Sequence, residues 1–210
     1  LHPLEQSPTS KGGVGSPGGQ PQGERVSLVI ASAGQLPSHL RKTETHRLHA
    51  KTKALKQKLT GQKALQMLYR VNAGSIPKTA WTASPDQGGG MLISEMCHFV
   101  DVFLYLTDSA PVGVYASCIR TESSATTNHD NLTLVVDFRD GSQGTLFYST
   151  QGDKSVAKER LEVYSGGHMA ILDDYRGLDH HFEGKKTSEK LGSQDKGQKS
   201  MVQSAMRYYV

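Results

Sequence analysis

Apolar and polar residues alternate along much of the second half of the chain. Leu65, Met67, Tyr69 and Val71 occupy every second position of the first such segment, which is typical of a strand with one face on a core. The same alternation predicts strands at residues 112–119, 132–138, 145–149, 161–164 and 169–172, with an edge strand near 186–191. Asp-Gly and Gly-Gly pairs between these segments predict two hairpins.

A period of three to four residues replaces the alternation at residues 91–107. This period predicts an amphipathic helix, and its apolar positions are Leu92, Met96, Phe99, Phe103 and Leu106. Residues 196–210 show the same spacing and predict a last helix. Leu48, Leu55 and Leu59, spaced by seven and four, suit the stripe of a helix before the first strand. His180 and His181 follow Asp179 and predict an exposed polar turn.

One helix, then consecutive strands, then another helix is typical of an α+β domain. We therefore expect an open, mainly antiparallel (mixed) β-sheet with helices on one face. The other face has to meet water, a ligand or another subunit. Because an uncovered apolar sheet face favours association, we expect a homo-oligomer formed through it.

The chain divides into two parts of different composition. Residues 1–50 include a run rich in glycine and proline, and we expect a disordered or irregular leader. Residues 51–210 carry the predicted elements and form the folded domain, whose last helix ends without a capping signal. The leader reads either as an unrelated segment or as an out-of-frame translation, so the chain reads as a fragment.

The charge of the chain is local. The formal net charge is +4, and residues 41–63 alone carry +7, which leaves −3 for the remainder. This basic window lacks the interleaved aromatic residues of a nucleic-acid reader. We interpret it as a solvated helix face or a loose arm and expect no nucleic-acid partner.

Two further features bear on the class of protein. The most apolar segment, residues 91–106, is interrupted by four polar residues and is shorter than the roughly 20 apolar residues that cross a bilayer, so we expect no membrane partner. Cys97 and Cys118 are too few for a disulfide framework or a zinc cage. We interpret them as reduced thiols of a cytoplasmic protein.

The only glycine fingerprint of the leader does not support a nucleotide site. Residues 13–18 fit the letters G-x-G-x-x-G. The mechanism of that motif requires a buried strand before the glycines and a helix after them, so that backbone N–H groups meet the pyrophosphate. Neither pattern flanks these residues, and we expect no cofactor to bind there.

The helix at 91–107 carries the most informative polar residues. Glu95, His98 and Asp101 follow one another at intervals of three and share one flank of an otherwise apolar helix. A neighbouring carboxylate can fix the tautomer of an imidazole that acts as a general base. The same spacing suits a hydrogen-bonded histidine at a helix boundary, and it offers two metal ligands without an identifiable third. The residues alone leave catalytic and structural interpretations open, and we predict no metal.

Several segments together resemble a known family. Residues 69–74 read YRVNAG, residues 88–101 read GGGMLISEMCHFVD, and the match continues through 152–154, 158–160, 172–175 and 195–199. In order and spacing they resemble the C-terminal domain of the glucose-fructose oxidoreductase, inositol dehydrogenase and MocA family. The resemblance covers roughly residues 52–210.

The resemblance implies an NAD(P)-dependent dehydrogenase of a sugar, polyol or related carbohydrate. The histidine of the triple-glycine helix matches His98, which would act as base or orienter, with Glu95 as its acid. Many members carry an aspartate four residues before the histidine, where this chain has Ser94.

We expect four residues to contact substrate: Arg70, Asn72, Asp101 and Lys154. Arg70 and Asn72 share one face of the first strand, where a guanidinium and an amide could hold hydroxyl groups.

The family's nucleotide-binding half has no match here. No strand-linked glycine fingerprint and no Glu-Lys-Pro motif occur in residues 1–60. We expect NAD or NADP in an intact family enzyme and neither on this chain alone. The alternative interpretation is a non-catalytic carbohydrate-binding or oligomerisation module.

Overall fold

Eight strands make one sheet in this computed structural model, which describes residues 46–77, 79–81, 90–119, 130–190 and 203. The strands are β1 (Gln66–Asn72), β2 (Pro111–Cys118), β3 (Leu132–Phe138), β4 (Gln143–Ser149), β5 (Glu159–Ser165), β6 (His168–Asp173), β7 (Gly177–Phe182) and β8 (Lys185–Lys190). The strands predicted from alternation are confirmed, including both hairpins and the edge strand β8.

The strand order is β2-β3-β4-β1-β5-β6-β7-β8. Every neighbouring pair is antiparallel except β1 and β4, which run parallel from Gln66 beside Gln143 to Asn72 beside Ser149. The predicted α+β class with an open mixed sheet is confirmed. As a result of the parallel pair, the carboxyl ends of β1 and β4 meet at one edge of the sheet.

The helical segments are few. A 3-10 turn (His46–Leu48) leads into α1 (Ala50–Lys58), and a π-helical turn (Leu92–Met96) leads into α2 (Cys97–Thr107). The helix predicted at 91–107 is confirmed, with the π turn in its first part. α2 ends at Asp108, whose left-handed backbone (φ 48°) forms the C-cap. The predicted last helix, the leader and the fingerprint at 13–18 lie outside the described residues.

The core lies between one sheet face and the helices. Tyr69 packs on Phe99 of α2 with ring centroids 4.8 Å apart, and the other fully buried residues of this layer alternate along the strands. Gly144 of β4 is the position where the Phe103 ring approaches the sheet. An added Cβ there would lie 2.6 Å from a Phe103 ring carbon, so glycine is required for this packing.

The described part of the basic window, residues 46–63, differs from its interpretation as a solvated face or loose arm. α1 lies against β6 and β7, with Leu55 fully buried, and its lysines reach acids of the domain. Lys51 and Lys58 pair with Glu189 at 3.3 and 3.0 Å, and Lys56 pairs with Asp108 at 2.6 Å. The prediction failed because the acceptors lie far away in sequence, on β8 and at the end of α2.

The segment around His180 is strand β7, and the predicted polar turn is wrong. Leu178 is fully buried, and the Nδ1 of His168 lies 3.0 Å from the Nε2 of His180. The His168 ring also stacks on Phe182, with centroids 3.8 Å apart. Contacts of His168 with His180 and Phe182 therefore stabilise a strand whose polar sequence is typical of a loop.

Within the described residues, no helix covers the second face of the sheet, which is called the open face here. Its exposed apolar side chains are Leu68 (42% exposed), Tyr115, Phe147 and Tyr164, one on each of four strands. No helix among the described residues has the length and apolar character to cross a membrane. Within the same residues, no three His, Cys, Asp or Glu side chains are grouped closely enough to hold a metal ion.

Candidate functional site

His98 lies in the first turn of α2, where the helix meets the 3-10 turn. Its half-buried imidazole stacks on that of His46, with centroids 5.1 Å apart and an angle of 29° between the ring planes. The Thr52 hydroxyl donates to the His46 carbonyl at 2.7 Å and fixes the turn. The 3-10 turn and α2, which are about 50 residues apart in the sequence, thus place the His46 imidazole against His98, the histidine that the sequence analysis identified.

His46 connects this pair to a buried carboxylate. Its Nε2 lies 3.7 Å from an oxygen of Glu159, the first residue of β5. The same ring contacts Phe99 and Tyr175 edge-on, at centroid distances of 5.5 and 5.4 Å. Because the rings of Phe99 and Tyr175 pack against it on two sides, the His46 imidazole is favoured in one orientation, with its edge towards Glu159.

Glu159 is the acid at the centre of the cluster. The Tyr69 hydroxyl donates to it at 2.7 Å, and the Tyr175 hydroxyl lies 3.0 Å from that of Tyr69. Burial raises the pKa of Glu159, but the interactions with His46 and Tyr69, together with the charge of Lys158, lower it on balance. The carboxylate therefore stays ionised beneath the histidine pair at neutral pH.

Asp101 occupies the next turn of α2 and pairs with Arg47, at 3.3 Å between Oδ2 and Nε. Burial raises the pKa of this carboxyl to about 6, although the charges of Arg47 and His46 oppose the shift. Its carboxyl group therefore changes protonation near pH 6.

Glu95 lies in the π-helical turn, one turn before His98. Its carboxylate accepts hydrogen bonds from Lys158 and from the hydroxyl of Tyr148. Burial raises the pKa of Tyr148, and the bond to Glu95 raises it further, so the phenol keeps its proton. Glu95 is therefore held to the sheet by Tyr148 of β4 and by Lys158, the residue before β5. That Glu95 orients His98 remains a prediction.

Arg70 and Asn72 lie on the open face of β1, because they alternate with Tyr69 and Val71, which point into the core on the side of α2. Arg70 donates to the carbonyl of Ala157 at 2.8 Å, and Asn72 donates to that of Asp153 at 2.7 Å. The structure does not bring Arg70 to the face that carries His98. Both side chains hold the loop before β5, and their contact with substrate remains a prediction.

Lys154 lies in that same loop. Its stem crosses Gly74, where an added Cβ would lie 2.6 Å from the Lys154 Cγ. Gly74 also has a positive φ of 66°, a conformation that favours glycine. The side chain is exposed beside the carboxyl end of β1. A role in binding substrate remains a prediction for this residue too.

Sequence reasoning missed four members of the cluster: His46, Tyr69, Glu159 and Tyr175. One signal was available for Glu159. It occupies the same phase of β5 as the buried residues Leu161 and Val163, and a charged residue in an apolar phase indicates a buried, partnered group. No local pattern marks His46, because only the tertiary fold places it on His98.

A carboxylate of the chain caps the start of the helical segment that carries Glu95 and His98. The glycine nearest to a helix start is Gly90, and the following backbone N–H, of Met91, already donates to Asp130 at 3.1 Å. This bond satisfies one of the backbone N–H groups that a helix start leaves unpaired.

Comparisons with known proteins agree with this architecture. The profile described as the GFO/IDH/MocA C-terminal domain matches residues 62–166. Among solved structures, UDP-N-acetylglucosamine 3-dehydrogenase from Acidithiobacillus ferrooxidans is 17% identical with a TM-score of 0.60, covering 79% of this chain and 52% of that chain. No curated protein matches the chain by sequence.

Two further structures have the same fold. Aldose-aldose oxidoreductase from Caulobacter crescentus, complexed with glycerol, is 15% identical with a TM-score of 0.59, covering 82% of this chain and 51% of that chain. Levoglucosan dehydrogenase, in complex with NADH and levoglucosan, is 12% identical with a TM-score of 0.59, covering 81% of this chain and 55% of that chain. The chain therefore spans about half the length of these proteins.

The profile covers half of the chain, and the resemblance inferred from the triple-glycine helix and its neighbouring motifs is confirmed. The chain belongs to the GFO/IDH/MocA family of oxidoreductases through the C-terminal domain that it carries at residues 62–166.

Proposed function

We propose that this domain is the substrate-side part of an NAD(P)-dependent dehydrogenase acting on a sugar, polyol or related carbohydrate. The observation that carries the proposal is the position of His98, half-buried in α2 and stacked on His46 above the ionised Glu159. Carbohydrates named for solved relatives with this fold support the substrate class.

His98 is the group that takes the hydroxyl proton as the substrate carbon is oxidised. A general base has to lie within hydrogen-bond reach of that proton, and the His98 imidazole is only half-buried. Glu95, fixed by Lys158 and Tyr148, and Asp101, fixed by Arg47, flank it on the same helix. These contacts tie the helical segment that carries His98 to the sheet and to the 3-10 turn.

NAD or NADP would be bound outside the described residues, since these supply no pyrophosphate cradle. A nucleotide-binding domain of the family would complete the site. For the chain alone we expect no NAD(H) or NADP(H) binding in the micromolar range by calorimetry.

We also propose that the open sheet face pairs two copies of the chain. Leu68, Tyr115, Phe147 and Tyr164 expose apolar surface on four strands of this face. Burial between subunits removes that surface from water and favours a closed dimer.

The test joins the chain to a nucleotide-binding domain of the same family and measures sugar-dependent reduction of NAD or NADP. We expect turnover in the joined protein and none in either part alone. Sugar binding without any turnover, when the joined protein binds nucleotide, would instead indicate the non-catalytic carbohydrate-binding module.

A further inference from the structure

The turn between β6 and β7 has a backbone conformation that does not suit one of its residues. The Arg176 N–H donates to the Asp173 carbonyl at 2.9 Å, which closes a four-residue β-turn. Its two central residues, Asp174 and Tyr175, both have positive φ, of 48° and 56°. Glycine, asparagine and aspartate tolerate this conformation, whereas a bulky aromatic residue is strained in it. The turn itself therefore does not favour a tyrosine at position 175.

The side chain of Tyr175 explains why this strain persists. Tyr175 is 5% exposed, and its ring packs edge-on against His46 and His49, at centroid distances of 5.4 and 4.6 Å. Strained backbone of this kind is retained only where the surrounding contacts hold the residue. Those contacts are with the 3-10 turn and with His49, the N-cap of α1, so the strained turn places an aromatic ring against His46.

A chain of hydroxyl groups fixes the polar end of the Tyr175 ring. The Tyr69 hydroxyl donates its proton to Glu159 at 2.7 Å, so the Tyr175 hydroxyl, 3.0 Å away, donates to that of Tyr69. Burial and the charge of Glu159 raise the pKa of Tyr175, so the phenol keeps this proton. The Asp174 N–H also donates to the Glu159 carbonyl at 2.8 Å. The side chain and the backbone of the turn are therefore both tied to Glu159.

His46 connects Tyr175 to His98. The His46 imidazole contacts the Tyr175 ring edge-on and stacks on the His98 imidazole, with centroids 5.1 Å apart and 29° between the ring planes. Because side chains in a packed core interdigitate, the orientation of the His46 ring depends on the rings that border it. Removal of the Tyr175 ring would let the His46 ring turn, and its stack on His98 would then change as well.

From these contacts we infer that Tyr175 is a positioning residue for His98 and acts through His46. This role rests on the proposed function, in which His98 takes the hydroxyl proton of the substrate. A reacting group has to be held within about half an ångström of its productive position, and a misplacement of about 1 Å can cost roughly a hundredfold in rate. Tyr175 acts on the orientation of a neighbouring ring and not on the substrate.

NMR of the ring C–H groups of His46 and His98 in the full chain tests this role without any turnover. Tyr175→Asn suits the turn but removes the ring, so the His98 signals should shift and the cross-relaxation between the two imidazoles should weaken. Tyr175→Phe keeps the ring and should leave both as in the parent. Tyr175→Leu keeps an apolar side chain in the core, and it is the second variant should Tyr175→Asn fold poorly. It should change the His98 signals in the same way.

Glu183→Asn is the matched control for Tyr175→Asn. Glu183 lies in the turn between β7 and β8, and it combines a positive φ of 49° with an exposed side chain. Asparagine should relieve backbone strain at this position too, while the His98 signals stay as in the parent. An equal shift of these signals in Glu183→Asn and Tyr175→Asn would assign the effect to the hairpin backbone and overturn the inference.

Turnover separates positioning from simple support of the fold. In the chain joined to a nucleotide-binding domain, Tyr175→Asn should lower kcat about tenfold and leave KM within a factor of about two, and Tyr175→Phe should restore the parent rate. A lowered melting temperature with kcat per folded molecule unchanged would show a structural role alone and overturn the inference. Unchanged His98 signals in both Tyr175→Asn and Tyr175→Leu would also overturn it. If the joined parent turns over no sugar, the proposed function fails, and the NMR signals of His98 still decide whether Tyr175 positions it.

Discussion

The imidazole of His98 stacks on the imidazole of His46 at a centroid distance of 5.1 Å, and the edge of His46 reaches Glu159. The 3-10 turn before α1, helix α2 and strand β5 therefore meet at one histidine pair. Because Glu159 is buried and ionised, the stability of this junction should depend on pH.

Replacing the buried acid tests that dependence. Glu159→Gln should lower the free energy of unfolding at pH 7 by about 1–3 kcal/mol, because the bonds from Tyr69 and His46 lose their ionised acceptor. The folded-state pKa of Glu159 is lowered, so its contribution is complete above the unfolded pKa and is lost as the pH falls through the folded value. Urea titrations at pH 7 and pH 3.5 should show the gap closing in acid. Glu183→Gln, at an exposed turn residue, is the control.

Asp101 should show the opposite sign. Burial raises its pKa to about 6, so its contribution to stability is complete below the unfolded pKa and is lost as the pH rises through about 6. Asp101→Asn should therefore stabilise the domain at pH 8 by about 2–3 kcal/mol. Near pH 4 the variant and the parent should unfold alike.

Asp108→Asn serves as the comparison for Asp101→Asn, since the side chain of Asp108, at the end of α2, is 74% exposed and pairs with Lys56 of α1. A surface ion pair of this kind contributes little. An equal gain in both variants would show that burial of Asp101 is not the cause.

Packing of α2 on the sheet rests on Gly144. Gly144→Ala would place a Cβ within 3 Å of three atoms of the Phe103 ring, which is fully buried. We expect a loss of about 1–3 kcal/mol by thermal or urea unfolding. Gly177→Ala is the matched control, because nothing lies within 4 Å of its added Cβ. Near-equal stability of the two variants would contradict this packing.

The open face is tested by a charge at its centre. Leu68→Asp should convert a dimer to a monomer in light scattering at tens of micromolar, because an unpaired carboxylate would be buried between subunits. Val156→Asp changes a more exposed apolar residue (53% against 42% for Leu68) in the loop before β5 and should leave association unchanged. A parent chain that is monomeric with a cooperative melt would refute pairing through this face.

The sequence predicts most of the sheet because alternation records burial on one face. The prediction works for β1 and for the β3–β4 hairpin, where a buried row alternates with an exposed one. The prediction fails at β7, where a polar residue, His180, stands at a position that the alternation pattern expects to be apolar. His180 of β7 contacts His168 of β6 instead. The parallel pairing of β1 with β4 joins segments about 80 residues apart, and no local pattern encodes it.

For the candidate site, too, the sequence predicts the local arrangement but not the contacts made by the tertiary fold. His98, Glu95 and Asp101 share a helix, so their spacing alone places them together. The partners that hold them, among them Lys158 and Arg47, come from other elements and depend on the tertiary fold. Arg70 has the right chemistry for a substrate contact, yet the alternation of its own strand places it on the opposite face.

The most direct test of the proposed role of His98 is turnover of the joined enzyme with His98→Asn, counted per folded molecule. Turnover should fall by roughly a hundred to ten thousand fold, with the fold and nucleotide affinity retained. His181→Asn, on the open face of β7, should keep the parent rate. A His98→Asn enzyme within a factor of about three of the parent would show that this histidine only supports the structure.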